Sequence, residues 1–458
     1  METKEQEPWR LFEQRGAACR LRGDAAGCAQ AYYEAARCDR FLRSQREHYS
    51  SYLFTLHYLS GISTEELARQ HFVYGQLYRD ELAEMEAGGG EAEPAAMAGH
   101  RLRIGFLAPD LLESSAARFY EAMLDLPQAA FEVFVYSLTD IADGFTQHVW
   151  RTAEHARVLP PHDIEASERA IAADKLDILV DLGGHTAGGA TLMLLAHHPA
   201  RIIIEAVGWF DTTGMPTVDY LLTDDVMDPP GREALLSEQP LRLPHAWCFM
   251  PSRAMRAARE RIGRRRRKQA PGSVPVRLAS FQNFLKISDD TLDAWRAILD
   301  RAPQAHLLLQ DTMHVPARVT ELERRLRAAG LPMERVTVRM GSDDYLADLA
   351  RQDLILDTFP YPGGAMTATA LYLGVPVLTL RGDSHSRSVG ASILTAAGLP
   401  ELVAESAGRY VGMAAELIAQ PEKRMALRTR VLEGVLSSPL CDPAAYQKIF
   451  FDFFSKIT

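Results

Sequence analysis

Short, continuous apolar runs alternate with helical segments twice along this chain, and this alternation constrains the fold more than any other feature. Continuous apolar runs are typical of strands buried on both faces of a parallel sheet. Five runs begin at Leu102, Phe131, Asp177, Arg201 and Asp219, and five more at Val276, His306, Arg335, Leu354 and Val375. Each series predicts an α/β, doubly wound, Rossmann-like lobe with helices on both faces of its sheet. Two such lobes leave a cleft at the carboxyl ends of their strands, where ligands usually bind.

Breaks in composition divide the chain, which at 458 residues is too long for one compact core. A Gly-, Ala-, Glu- and Pro-rich stretch ends at His100, and a basic segment begins at Arg253. We predict a helical region at 1–84, a linker at 85–100, a first lobe at 101–252, a basic linker at 253–275, a second lobe at 276–440 and a C-terminal packing helix at 441–458. The basic linker is interpreted as a solvated face, with an acidic partner or a polyphosphate as the alternative.

The region before the lobes has helical periodicity. Ala29, Tyr32, Tyr33 and Ala36 share one helical face, which resembles one tetratricopeptide-type hairpin. Asp24 is placed to cap the helix that follows it, and Ser63 with Glu66 forms a capping-box pattern.

Charge and composition exclude several functional classes. The net charge of −10 argues against general nucleic-acid binding, and no apolar run approaches the length of a membrane span. The N-terminal residues lack the apolar core of a signal peptide, so we expect a cytoplasmic protein without a membrane partner. The five scattered cysteines include no CxxC pair, which favours reduced thiols over disulfides or zinc.

The stretch "LDTFPYPGGAMTATALYLGVP", which begins at Leu356, has the order strand, Pro/Gly-rich turn, helix. A helix that begins directly after such a turn presents free backbone N–H groups, which bind phosphate. This stretch therefore predicts a phosphate cradle in the second lobe.

From Leu102 to the C-terminus, the chain resembles the O-GlcNAc transferase/SPINDLY family of protein glycosyltransferases. The motifs that carry the likeness are "LRIGFLAPDL", "ILVDLGGHTAGG", "PTVDYLLTD", "FQNFLKIS", "LILDTFPYPGG" and "RGDSHSRSVGAS", in the order of the family. The resemblance implies a GT-B fold, with the first lobe on the acceptor side and the second on the donor side. We expect at most one hairpin of the family's long tetratricopeptide superhelix in this chain.

Four positions match catalytic residues of the family. Lys286 follows a strand and precedes a helix start, so its amine projects into the cleft, and the matching lysine contacts the donor diphosphate. Asp110 matches an aspartate of the proton path, and His71 matches a histidine that faces the acceptor. His185 lies in a Gly-rich loop after a strand, from which its ring can reach the cleft.

Further positions match the donor pocket of the family, although several residues differ. Ala365 and Met366 replace two threonines at the helix start, and Thr369 replaces an acidic ribose ligand. The backbone cradle survives these changes because it needs no side chain. The predicted donor-binding residues are Asn283, Tyr345, Gly208, Gly364, Ala365, Met366, Thr367, Thr369, His385 and Arg387.

Other departures lie outside the cradle. Ser114 and Arg118 replace two family histidines after the first strand, and Ser342 replaces a lysine. Tyr345 replaces a histidine that stacks on the nucleobase, but it keeps a flat ring for stacking.

The resemblance implies an inverting, metal-independent transfer of a sugar, expected to be GlcNAc from UDP-GlcNAc, to a Ser/Thr hydroxyl of a protein or peptide. No cofactor besides the nucleotide sugar is expected. Two alternatives stay open. One is a related transferase that uses GDP-fucose, UDP-glucose or a non-protein acceptor, and the other is a non-catalytic nucleotide- or partner-binding protein.

Overall fold

The computed structural model of the protein describes residues 7–87, 101–127, 129–265 and 275–457. Its first part is helical, as the sequence predicted. The helices are α1 (Pro8–Arg22), α2 (Ala25–Cys38), α3 (Leu42–Leu56), α4 (Thr64–Gly75) and α5 (Arg79–Ala87). Residues 88–100 of the predicted linker lie outside the described residues.

The predicted helix caps in this region are largely confirmed. The Asp24 carboxylate accepts a hydrogen bond from the Gly27 N–H at 2.8 Å, and α2 packs between α1 and α3. The Ser63 hydroxyl accepts from the Glu66 N–H at 3.2 Å. The Glu66 carboxylate, however, binds Arg69 and Gln70, so only half of the capping box forms.

The first lobe is built on a seven-stranded parallel sheet. Its elements are β1 (Leu102–Ala108), α6 (Ala117–Leu124), β2 (Phe131–Ser137), α7 (Gly144–Thr152), β3 (His155–Val158), α8 (Ile164–Ala173), β4 (Ile178–Asp181), β5 (Ile202–Glu205), β6 (Tyr220–Asp224) and β7 (Gln239–Leu243). The strand order is β3-β2-β1-β4-β5-β6-β7, with every pair parallel. This order, which reverses direction next to β1, is that of a doubly wound lobe.

The segment predicted as a basic linker begins as a helix, α9 (Arg253–Arg265). Met255 and Ala258 are buried on its apolar side, and Ile262 packs against the same core. Residues 266–274 lie outside the described residues.

The second lobe repeats the same topology with six parallel strands. Its elements are β8 (Val276–Phe281), α10 (Asp289–Arg301), β9 (Ala305–Gln310), α11 (Pro316–Ala328), β10 (Val336–Arg339), α12 (Tyr345–Ala350), β11 (Leu354–Leu356), α13 (Ala365–Tyr372), β12 (Val377–Leu380), α14 (His385–Ala396), β13 (Val403–Ala404), α15 (Ala407–Ala419) and α16 (Pro421–Gly434). The order β10-β9-β8-β11-β12-β13 confirms the second doubly wound lobe. The apolar core is continuous through both lobes.

All ten predicted strands are present, and three further ones were not predicted. These are β3, β7 and β13, each at the edge of its sheet. Strand β3 is mostly exposed, β7 contains Pro240, and β13 has two residues, so none of them forms a continuous apolar run.

None of the five cysteines is paired in a disulfide, in agreement with the prediction. Among the described residues, no helix has both the length and the apolar character needed to cross a bilayer.

The last helix, α17 (Pro443–Ile457), returns to the first lobe, where it packs against α6. Tyr446 and Phe450 are buried, and the Tyr446 hydroxyl donates to the Ala246 carbonyl oxygen at 2.7 Å. The helix in the segment predicted as a packing helix thus buries its aromatic residues against the first lobe.

We expect Phe450→Ala to lower the free energy of unfolding by about 3–5 kcal/mol, because Phe450 is 2% exposed and its removal leaves a cavity. The neighbouring Phe451 is 38% exposed, so Phe451→Ala should cost no more than about 1 kcal/mol. Urea denaturation of the two variants checks this, and equal losses would contradict the packing assigned to α17.

Candidate active site

The loop between β11 and α13 is organised by a buried carboxylate, that of Asp357. Its Oδ1 accepts hydrogen bonds from the N–H groups of Thr358 at 3.0 Å and Gly363 at 2.7 Å. Its Oδ2 accepts from the Thr379 hydroxyl at 2.9 Å. A Cβ atom on Gly363 would lie 2.2 Å from Nε2 of Gln282, so a larger residue there would displace that buried side chain. These contacts fix the turn that leads into α13.

Lys286 reaches the same loop from a short 3₁₀ turn after β8. Its Nζ donates to the Pro362 carbonyl oxygen at 3.2 Å and lies 4.6 Å from the centre of the Tyr361 ring. Burial lowers the pKa of Lys286 to about 8, although the Asp357 carboxylate acts in the opposite direction. Burial also raises the pKa of Asp357 to about 6 against its hydrogen-bond donors and Lys286. The structure thus brings the predicted cation to the start of α13.

At the start of α13 no side chain caps the backbone N–H groups, and the threonine side chains that follow are buried. Gly364 precedes the helix without a side-chain cap, and Ala365 and Met366 are partly exposed. Thr367 and Thr369 are each 1% exposed, and their hydroxyls have no hydrogen-bond partner among the described residues. The hydroxyl at the family's acidic ribose position is therefore buried, whereas the first N–H groups of α13 have no side-chain cap.

Two aromatic rings of the first lobe face the start of α13. A Cβ atom on Gly364 would lie 3.9 Å from Phe119 and 4.0 Å from Phe210. The Phe210 ring also lies 6.3 Å from the Tyr361 ring. The cleft beside the cradle thus has an apolar wall.

Asn283 supports the turn that carries Lys286. Its Oδ1 accepts from the Leu285 N–H at 3.1 Å and from the Arg318 guanidinium. Arg318 is buried against Asp311 and donates to the Arg20 carbonyl oxygen of the helical region at 2.8 Å. The predicted donor-binding residue is therefore held next to Lys286 by contacts that cross from one part of the protein to another.

Asp110 and Tyr345 lie on opposite lobes. Asp110 is partly exposed in the loop after β1, where its Oδ1 accepts a hydrogen bond from the Leu112 N–H at 3.2 Å. Ser114, in the same loop, accepts from the Ala117 N–H at the start of α6.

Tyr345 begins α12 and is half-buried. Burial and the charge of Glu113 raise the pKa of Tyr345, and the charge of Arg118 lowers it. Both charges belong to the first lobe, so Tyr345 lies within electrostatic range of that lobe.

Gly208 follows β5 at a close crossing of two backbone segments. A Cβ atom there would lie 1.7 Å from the Leu182 carbonyl oxygen, which explains the glycine without a sugar.

His71 and His185 both contact the Trp209 ring, at centroid distances of 5.9 and 5.0 Å, and their own rings lie 5.5 Å apart. His185 Nε2 donates to the Thr213 carbonyl oxygen at 2.8 Å, which leaves Nδ1 to accept from the Ser50 hydroxyl at 3.0 Å. His71 Nδ1 donates to the Leu67 carbonyl oxygen at 2.8 Å. Burial lowers the pKa of both rings, so both are neutral.

These two predicted residues therefore differ in what they can do. Both nitrogens of His185 are engaged, whereas Nε2 of His71 is unprotonated and has no partner among the described residues. His71 retains an atom that can accept a proton.

His385 and Arg387 lie in the first turn of α14 and are buried. His385 Nδ1 binds Asp228 at 2.6 Å; burial opposes its charged form, but the surrounding aspartates raise its pKa overall. Arg387 donates to Asp383 at 2.9 Å and to the Ile62 carbonyl oxygen at 2.6 Å. The structure places both residues at contacts between parts of the protein.

Residues that the sequence did not single out complete this arrangement: Asp357, Tyr361, His57 and Ser386. Asp357 gave a signal, because it directly follows a buried strand. The others become visible only through contacts that are distant along the chain.

A cavity of about 990 Å³ lies elsewhere than the cradle. It lies between the helical region and helices α10 and α11, and Leu285 and Ile287 line it while Lys286 does not. Within the described ranges, no cluster of three His, Cys, Asp or Glu residues is arranged to hold a metal ion.

Comparison with known proteins identifies the family to which this chain is similar. The model of Glycosyl transferase family 41 matches residues 90–258 and 261–450. A SPINDLY protein of Petunia hybrida, named as a probable UDP-N-acetylglucosamine–peptide N-acetylglucosaminyltransferase, is 30% identical over 404 residues, which cover 86% of this chain and 42% of the relative. The SPINDLY protein of Oryza sativa, with the same name, is 33% identical over 356 residues, or 74% of this chain and 37% of the relative. The chain thus spans about two-fifths of the length of these relatives.

A solved structure agrees over nearly the whole chain. A mutant O-GlcNAc transferase of Thermobaculum terrenum superposes with a TM-score of 0.86 at 25% identity, covering 98% of this chain and 84% of that one. The resemblance found in the motifs is confirmed: this chain belongs to glycosyl transferase family 41 and has the GT-B fold.

Proposed function

We propose that the protein transfers GlcNAc from UDP-GlcNAc to a Ser/Thr hydroxyl of a protein or peptide. The observation that carries this proposal is that Lys286 lies next to the start of α13. A cation beside free backbone N–H groups is suited to bind the negative charge of a diphosphate. The names of the plant relatives support the donor and the acceptor class. No cofactor besides the nucleotide sugar is part of the proposal.

In the proposed reaction, the acceptor oxygen attacks the anomeric carbon on the face opposite to the diphosphate, which inverts that carbon. The new C–O bond forms as the bond to the diphosphate breaks, and UDP leaves with the electron pair. The Lys286 ammonium and the α13 N–H groups stabilise the charge that develops on the leaving oxygen. Because the protein supplies this positive charge, the proposed transfer is metal-independent.

The acceptor hydroxyl must also lose a proton. Of the proposed proton-path residues, His71 has an unprotonated Nε2 and Asp110 has a partly exposed carboxylate. His185 holds the helical region to the first lobe through Ser50, so we assign it a positioning role.

A second candidate is favoured by the buried Thr369. With no carboxylate at the ribose position and the Thr369 hydroxyl buried, the nucleoside contacts differ from those of the family. Among the alternative donors, GDP-fucose fits this difference because its nucleoside is not uridine, whereas UDP-glucose carries the same nucleoside as UDP-GlcNAc.

A donor panel separates the two candidates. We expect UDP release from UDP-GlcNAc, in the presence of Ser/Thr peptides, to be faster than nucleotide release from UDP-glucose or GDP-fucose. Faster release from either of the other donors assigns the second candidate. If no donor releases its nucleotide although UDP binds, the protein is not a transferase.

We expect Lys286→Ala to lower kcat/KM for the donor by about 100-fold or more, because the leaving diphosphate loses its cation. The matched control is Lys423→Ala, since Lys423 is an exposed lysine of the same lobe that pairs with Glu416. Circular dichroism and thermal unfolding establish that both variants fold. Wild-type turnover in folded Lys286→Ala would refute the assignment of the donor site.

The pKa of Lys286, about 8, predicts the pH dependence of the reaction. A lysine with a lowered pKa is charged below that pH and neutral above it, so kcat/KM should fall about tenfold per pH unit above pH 8. In Lys286→Arg the guanidinium stays charged, and this alkaline decrease should disappear even if the rate is lower. An unchanged alkaline decrease in Lys286→Arg would assign it to another group.

A further inference from the structure

Three consecutive residues in the first turn of α14 join all three parts of the protein. His385 binds Asp228 of the first lobe at 2.6 Å, and Arg387 donates to the Ile62 carbonyl oxygen of the helical region at 2.6 Å. Between them, the Ser386 hydroxyl contacts both other parts. It donates to Oδ2 of Asp211 at 3.1 Å and lies 3.0 Å from Nδ1 of His57.

The directions of these hydrogen bonds follow from their donors. Because the Ser386 hydroxyl gives its hydrogen to Asp211, its oxygen is the acceptor for His57 Nδ1–H. The chain His57 → Ser386 → Asp211 therefore runs from the helical region through the second lobe to the first. All three side chains are buried, so none of them can exchange its partner for water without opening the structure.

The chain also leads to the donor site. The His57 ring lies 5.1 Å from Trp209 and 5.9 Å from Tyr361, in each case at a steep angle. Tyr361 in turn lies against the Lys286 amine at 4.6 Å. The Tyr361 ring thus lies between His57 and the predicted cation.

We infer that His57 and Ser386 are positioning residues, which hold the helical region and the first lobe in register with the donor cradle of the second lobe. This inference rests on the proposed function for its effect on catalysis. Lys286 and α13 both belong to the second lobe, so nucleotide binding should not need the chain. Transfer should need it, because the proposed proton-path residues His71 and Asp110 lie in the other two parts.

A matched pair of serines on α14 tests the inference. Ser386→Ala removes the hydroxyl that joins the three parts, whereas Ser388→Ala removes an equally buried hydroxyl that donates to the Gly382 carbonyl oxygen within the same lobe. We expect Ser386→Ala to lower kcat about tenfold with the Kd for UDP changed less than about twofold. Ser388→Ala should change neither. Equal kcat values in the two variants, or equal losses of UDP affinity, would overturn the inference.

Hydrogen–deuterium exchange tests the same chain without turnover. Segments 57–62 and 208–213 should exchange faster in Ser386→Ala than in Ser388→Ala, and identical exchange would overturn the inference. If the wild-type protein releases no nucleotide from any donor, the proposed function fails, whereas the exchange comparison still decides whether the chain holds the parts together.

Two variants at His57 test whether its hydrogen bond to Ser386 is the contact that positions the site. An asparagine amide can replace Nδ1–H as the donor to Ser386, so His57→Asn should retain kcat within about threefold. His57→Leu keeps apolar bulk but has no donor, and its kcat should fall as in Ser386→Ala. If His57→Asn and His57→Leu lose activity equally, the hydrogen bond to Ser386 does not position the site.

Discussion

Asp357 holds both ends of the loop from which the proposed donor site is built. Its two oxygens bind the Thr358 and Gly363 N–H groups and the Thr379 hydroxyl, while the Lys286 charge lies nearby. Burial pushes the pKa of the lysine down and that of the aspartate up. The Asp357 carboxylate opposes the shift of the lysine, whereas the hydrogen bonds from Gly363 and Thr379 and the Lys286 charge together oppose the shift of the aspartate. The loop, the cation and the helix start therefore form one electrostatic unit.

The fold was predictable because the central strands of both lobes are buried on both faces. A strand such as β1 or β8 is apolar along most of its length, apart from a partly exposed arginine near its start, and this leaves a local signal that needs no knowledge of its neighbours. Edge strands lack this requirement. Strand β3 is largely exposed, and its pairing with β2 depends on the sheet already being formed.

The candidate site was predictable to the extent that it is local. Lys286 and the α13 start each follow a strand, and the ends of parallel strands meet at one edge of the sheet. The histidines were less predictable because their partners are distant: His57 and Ser386 are 329 positions apart, and His385 and Asp228 are 157 apart. A sequence motif shows that such a side chain is polar but not which atom it binds.

Substitutions in the cradle illustrate a related limit. The resemblance places Thr369 where the family has a ribose ligand, but only the structure shows that its hydroxyl is buried. For Gly208, the resemblance predicted a donor-binding residue, and the structure adds the carbonyl oxygen of Leu182 as a sufficient reason for glycine.

The contact between Arg318 and the Arg20 carbonyl oxygen, and that between His185 and Ser50, have a practical consequence for dissecting this protein. Both contacts place backbone or side-chain atoms of the helical region in the buried support of the lobes. A fragment trimmed to the two lobes would leave the Arg318 guanidinium and the His185 ring without one partner each. The smallest unit worth transplanting into another protein, or fusing to a new targeting module, therefore includes helices α1–α4 as well as both lobes.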